Sequence, residues 1–303
     1  MLATVVLLAI SPLVLWPYVA AGVAFLVAAA TTWPDLTKAR GSEKIVALNR
    51  LCIAVPLAIF GTEHLGAAKF ITAQVPAWIP WHLFWAYFVG VALLAASLSI
   101  ATRVLTRWSG TLLGLMIFIF VLTIHIPRVM ANPHDRFAWA VAVRDLSFAG
   151  GAWALSRTRL SPGREPGGHP LITLGRIIIS TVAIFFAVEH FMHPQHLPGV
   201  PLEKLTPVWI PARIAIGYLT GAFLLVAGAL ILAGRKARTA ATYLGAEIFL
   251  LVLLVYVPLV FAVSSDPNLG AKIEGMNYFG DTLLYGGCIL ALANALPKDE
   301  RLA

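Results

Sequence analysis

Charged residues are scarce in this chain. Asp, Glu, Lys and Arg make up 12% of its 303 residues, against about 25% in ordinary soluble domains. With 59% of residues hydrophobic, that scarcity excludes a conventional soluble domain. Cysteine is almost missing too. Cys52 and Cys288 lie far apart in separate apolar runs, so there is no C-x-x-C dithiol and no disulfide framework. Each reads as a small buried hydrophobe. No nucleotide-binding glycine loop, flavin motif or haem attachment sequence is present, so no resident cofactor is evident. The amino terminus lacks the positive region of a secretory signal, and the apolar stretch from Met1 to Trp33 reads as a retained helix.

What the chain has is apolar length. A span needs about 20 residues, which leaves room for eight or nine. The pattern predicts an all-α polytopic membrane protein with the lipid bilayer as its first partner. An N-terminal transmembrane helix covers 1–34, entered or kinked at Pro12 and Pro17 and ended by Pro34. Eight further spans are predicted at 47–66, 81–102, 109–130, 138–156, 173–192, 212–233, 239–262 and 278–296.

A basic linker at 157–172, built on the stretch Ser156 to Pro170, divides those eight into two sets of four. The sets match each other. Arg50, Glu63 and His64 correspond to Arg176, Glu189 and His190 at one offset. Pro76, Trp78, Ile79 and Pro80 correspond to Pro207, Trp209, Ile210 and Pro211 at another, and Asp145, Gly150 and Gly151 to Asp281, Gly286 and Gly287. Four spans is an even number, so the expectation is two parallel four-helix-bundle repeats, at 47–156 and 173–296, plus the N-terminal helix, about nine spans in all.

Lys and Arg set the expected orientation. The segments 35–50, 103–107, 157–176, 235–238 and 298–301 hold fifteen of the 22 basic residues. That predicts a cytoplasmic carboxy terminus and an external amino terminus, in a bacterial inner membrane. The +8 net charge is then topological and faces anionic lipid; no nucleic-acid partner is expected.

The ionisable residues are unevenly placed on that topology. Of eight histidines only His169 falls on the cytoplasmic side. Phe185 to His196 (FFAVEHFMHPQH) and Ile59 to His64 (IFGTEH) each end an apolar run on a Glu-His pair. Charge within a span is costly and usually faces a cavity or a partner. Glu63, His64, Asp145, Glu189, His190 and Asp281, with His125 and Arg144, are the candidate ligand or proton site. Two readings stay open: a shared site at the outer end, or structural pins with Arg144 or Arg213 as counter-ion. Glu189, His193 and His196 also resemble a metal set, although Pro194 interrupts the helix between the histidines and Ala67 stands where the first half would need the match to His193.

Trp78 and Trp209, just before Pro80 and Pro211, read as membrane-interface anchors. Pro194, Pro198, Pro201 and Pro207 make the second outer loop a stiff lid over the vestibule. Glu247, which matches Met116, is either a proton relay or a carboxyl hydrogen-bonded to a neighbouring helix.

Each half resembles the DoxX-like family of four-helix membrane proteins. The resemblance lies in the helix ending Gly61-Thr62-Glu63-His64 or Ala187-Val188-Glu189-His190, the Pro-x-Trp-Ile-Pro start of the next helix, its mid-span glycine (Gly90, Gly221) and the short basic turn after it. The N-terminal helix and the tandem arrangement depart from the usual single unit. The family includes a thiosulfate:quinone oxidoreductase subunit. The resemblance therefore implies a quinone-linked oxidoreductase subunit whose cofactor sits on another membrane or redox subunit, with quinone as the ligand; it names no catalytic residue. A small-solute transporter or channel, and a non-catalytic assembly subunit, are the alternatives.

Overall fold

The computed structural model describes residues 11–158 and 169–299. The first ten residues of the amino-terminal segment, and 159–168 of the basic linker, lie outside the described residues. Long apolar runs fold as helices because a helix satisfies every backbone N–H and C=O within its own segment. Among the described residues there are nine long helices: α1 (Pro12–Lys38), α2 (Asn49–Gly66, continuing a short turn at Glu43–Ala47), α3 (His82–Thr102), α4 (Thr106–Ala131), α5 (Arg136–Leu155), α6 (Pro170–Met192), α7 (Arg213–Ala233), α8 (Ala237–Ser264) and α9 (Leu269–Ala295). The described residues contain no strand, only an isolated antiparallel bridge between His196 and Leu205.

Seven of these helices, all but α5 and α9, are long and apolar enough to cross a membrane. The chain is an integral, all-α polytopic membrane protein. The two remaining helices are largely buried, as α2 is: α5 packs on α4, α6 and α9, and α9 packs on α2, α5 and α8. A helix shielded from lipid can carry charge provided the charge is paired inside. That is where Arg144, Asp145 and Asp281 sit. Large side chains such as Leu26, Phe88, Leu219 and Phe261 are exposed on the outer helices, where they meet acyl chains.

Two boundaries differ from expectation. Helix α1 continues through Pro34 to Lys38, since one missing N–H near a helix end leaves a single carbonyl to be satisfied elsewhere. Helix α9 begins at Leu269, where the Asn268 side chain accepts from the Gly270 N–H. Its first turns carry Lys272, Glu274 and Asn277, too polar for an apolar-run reading to include.

The central helices approach by means of small residues, as membrane helices do. A Cβ added at Gly151 of α5 would lie 2.1 Å from the Cys288 Cβ of α9, and one at Gly287 of α9 2.9 Å from the Cys52 backbone of α2. Both cysteines are free and buried. At the linker end, arginines close helix termini. Arg238 binds Glu43 and the carbonyls of Ala293 and Leu296, and Arg176 binds those of Ile231 and Leu232.

Several backbone features recur at one constant interval. Trp81 and Ala212 are left-handed just before α3 and α7. Arg103 and Leu105 are left-handed in the α3–α4 turn, Gly234 and Lys236 in the α7–α8 turn. Helices α4 and α8 each widen to a π turn, at Val121–His125 and Val252–Tyr256. Pro127 and Pro258 follow directly; a proline ring displaces the carbonyl four residues back and lacks the N–H to bond it.

Candidate functional site

Adjacent residues on a helix point about 100° apart, and that spacing divides each Glu-His pair. Glu63 turns toward α9, where the Asn277 amide, oriented to donate, meets its two carboxylate oxygens at 3.0 and 2.7 Å. His64 turns toward α3 and α4. In the second half Glu189 turns to α5 and His190 to the following loop. Neither pair acts as a unit.

Four of the candidate residues meet as one chain. The π turn in α4 presents His125, whose Nε2–H donates to Asp145 Oδ2 at 2.8 Å. Arg144 bridges the two aspartates, from Nε to Asp145 Oδ1 at 2.8 Å and from Nη1 to Asp281 Oδ2 at 2.6 Å. One guanidinium thus links α5 to α9 across the bundle, and Glu63 lies within electrostatic reach of Asp281. Arg144 is therefore the counter-ion of the aspartates and not of Glu63 or Glu189. Arg213 instead donates to the Thr206 carbonyl at 3.3 Å.

Glu189 belongs to a separate assembly. Arg136, at the first turn of α5, bonds it at 2.6 Å and also holds the Pro201 and Leu202 carbonyls. The expected lid is in fact a plug. The loop after α6 folds inward, with Leu197, Val200 and Leu202 buried. Tyr256 donates to the Pro198 carbonyl at 2.7 Å, and the Lys204 N–H bonds the Tyr278 hydroxyl at 2.9 Å. Prolines stiffen this loop, but the buried apolar residues between them decide where it goes. Sequence reasoning missed Arg136 because the span predicted at 138–156 begins two residues after it. The signal was Asp135, whose side chain accepts from the Ala138 N–H and so starts α5 beside Glu189.

Arg136→Gln is expected to open this plug, because it strands a buried carboxylate and two carbonyls. A cysteine introduced by Val200→Cys is shielded in the native loop and becomes reactive to a membrane-impermeant maleimide in the Arg136→Gln background. The rate should rise by roughly tenfold or more, equivalent to about 1.4 kcal/mol of lost local stability. An unchanged rate would mean that Arg136 does not hold the loop.

The histidines His64 and His190 share one local geometry and differ in one partner. In each, the Nδ1–H donates to the carbonyl four residues back: Phe60 at 2.8 Å for His64 and Phe186 at 2.6 Å for His190. This fixes Nε2 as the acceptor of the neutral ring. Gly90 and Gly221 make room for them, since a Cβ at either would lie 3.0 Å from the histidine Cβ. His190 Nε2 accepts from the Gly199 N–H of the plug at 3.0 Å. The first half has no such plug; its connection folds as short turns at Ala68–Ile71 and Thr72–Gln74, and His64 Nε2 has no hydrogen-bond partner among the described residues.

His64 instead lines an apolar crevice of about 760 Å³ between α3 and α4. Its walls include Trp85, Phe88, Ala92, Met116 and Phe120, with Trp78 and Ile79 at the His64 end. Trp78 and Trp209 are both exposed at helix-loop boundaries, the level at which interface anchors sit. A smaller recess of about 390 Å³ lies at His134, Arg136, Trp139, Glu189 and His193.

The Glu189, His193 and His196 set does not converge on one point. Glu189 is taken by Arg136, and His196 Nδ1 bonds the Glu203 carbonyl at 3.1 Å. The His193 and His196 rings meet edge to face, 5.8 Å apart. Burial, then the nearby Arg136 cation, holds the His196 imidazole below its ordinary value. Among the described residues no trio of His, Cys, Asp or Glu is placed to hold a metal ion. Comparison of the chain with family models, curated proteins and solved structures yields no match.

Proposed function

We propose that the protein is a membrane-embedded redox subunit that seats a quinone-class molecule in the crevice between α3 and α4, with its head group on His64. One observation carries this reading: two equivalent histidines present the same acceptor nitrogen, and a backbone N–H of the plug satisfies only one of them. A hydroquinone O–H matches the other. The crevice walls suit an isoprenoid tail entering from the bilayer. Oxidation of the hydroquinone releases two protons and two electrons. His64 Nε2 accepts one proton, the second leaves to water at the membrane face, and a partner redox subunit takes both electrons, since the chain has no motif for a cofactor of its own.

This function fits the DoxX-like resemblance. The recurring left-handed turns and paired π turns support reading 47–156 and 173–296 as tandem parallel units, with α1 as an added span and α5 and α9 as the eighth and ninth. The basic linker end is the cytoplasmic one in this reading, within a bacterial inner membrane.

Protein purified from quinone-containing membranes in mild detergent is expected to retain quinone, read by extraction and chromatography. Ala92→Trp fills the crevice and should abolish retention. His64→Ala should lower affinity by roughly two- to tenfold, the effect of one net hydrogen bond of about 0.5–1.5 kcal/mol. Retention that is absent in the wild-type protein, or unchanged in Ala92→Trp, overturns the proposal.

A further inference from the structure

We propose that Glu247 is a proton-binding carboxyl inside the membrane, reached through a file of hydroxyl groups along α9 that leads to Asp281. Native interiors seldom leave buried polar atoms unpaired, and each exception calls for a reason. Two occur in this part of the second half. Glu247 Oε1 accepts from the Thr220 hydroxyl of α7 at 3.0 Å. Its Oε2 and the Tyr285 hydroxyl are buried with no hydrogen-bond partner among the described residues, and the Thr282 hydroxyl lies beside that of Tyr256. Tyr285 and Thr282 are both 0% exposed.

These groups share one neighbourhood. The α8 and α9 backbones run close beside Glu247: a Cβ at Gly286 would lie 3.0 Å from Ile248 Cγ2, and one at Gly245 2.5 Å from Leu290 Cδ2. The Glu247 carboxyl is within electrostatic reach of Tyr285 and Tyr256. On α9, Tyr278, Asp281, Thr282 and Tyr285 fall at i, i+3, i+4 and i+7 and so lie along one broad face. Glu247 is level with the turn at Gly286, deeper than all of them. Long helical side chains lean toward their own N-terminus, which carries the Tyr285 hydroxyl from the depth of Glu247 toward Asp281. From there the Arg144, Asp145 and His125 chain continues to the Glu-His end. Among the described residues the other titratable groups facing the file are Tyr256, Cys288 and, beside Asp281, Glu63. Hydroxyls both donate and accept, so once side-chain rotation brings neighbouring members within hydrogen-bond distance the file can pass a proton without a net change in any member. The alternative role of Glu247, pinning α7 to α8 through Thr220, leaves its second oxygen and the Tyr285 hydroxyl without a task.

Infrared difference spectroscopy on the reconstituted full-length protein tests this. A protonated-carboxyl C=O band that Glu247→Gln removes is expected. After transfer to heavy water its hydrogen–deuterium shift should slow by roughly tenfold or more in Tyr285→Phe, which breaks the file. Thr282→Val, nearly isosteric, should slow it in the same direction if Tyr285→Phe folds poorly. Thr220→Val cuts only the pin, so it should move the band frequency and leave the exchange rate alone. His64→Ala, in the crevice of the other half, should change neither. The inference is overturned if Glu247→Gln removes no such band, or if exchange is as fast in Thr282→Val and in folded Tyr285→Phe as in the parent protein.

Discussion

Arg144→Met is expected to cost about 3–5 kcal/mol, the usual price of removing one member of a buried ion pair. Among the described residues Arg144 is the single cation bonded to both Asp145 and Asp281, and all three side chains are nearly enclosed. Without it two carboxylates face each other where the bundle excludes water, and only His125 remains beside Asp145. Whole domains are stable by about 5–15 kcal/mol, so much of the folded population should be lost. A fall of roughly 10 °C in the thermal midpoint is the corresponding readout. Adding Asp145→Asn and Asp281→Asn removes the uncompensated charge and should recover most of that loss. Arg144→Lys should recover less, because one ammonium cannot span two carboxylates as the planar guanidinium does. A triple variant no more stable than Arg144→Met alone would show that charge is not the cause.

Gly151→Leu is expected to be comparably damaging, for a reason of shape. Its Cβ would fall 2.1 Å from Cys288 Cβ and 2.7 Å from Cys288 Cα. Part of the obstacle is backbone, so no rotamer relieves it. Overpacking costs about 1–3 kcal/mol where a core can shift; here α5 and α9 must separate, which also draws Arg144 away from Asp281. Loss of about 3 kcal/mol or more is therefore expected, read as failure to accumulate in membranes or to survive extraction. Cys288→Gly should rescue in part, and Cys288→Ala less, since it retains the Cβ. Gly22→Ala is the control: a Cβ there meets nothing within 4 Å, so stability should hold. A Gly151→Leu protein as stable as the parent would mean that the two helices do not touch.

The candidate site was partly legible from the chain because intramembrane charge is rare and therefore conspicuous. Asp145, Asp281, Arg144 and His125 stand out on that ground, and the structure places them in contact. Asn277, which bonds Glu63, was not legible: it lies in the polar first turns of α9, just outside the span predicted at 278–296, and Tyr278 at the edge of that span gave no sign that it would hold the plug. Arg136 was hidden by the same error at the start of α5. Glu63 and His64 looked like a pair because they are neighbours in the chain, yet neighbours on a helix diverge.

What the sequence determined alone is the kind of molecule. Burial of apolar length in lipid is additive along the chain, so local hydropathy is enough to predict an all-helical membrane protein and most of its spans. Partner choice was decided only by the tertiary structure. His64 and His190 have near-identical local settings, and only the inward fold of the loop at 194–206 occupies one acceptor and leaves the other beside a crevice. Helix rotation and loop insertion depend on surfaces contributed by distant segments, and no local period along the chain encodes them.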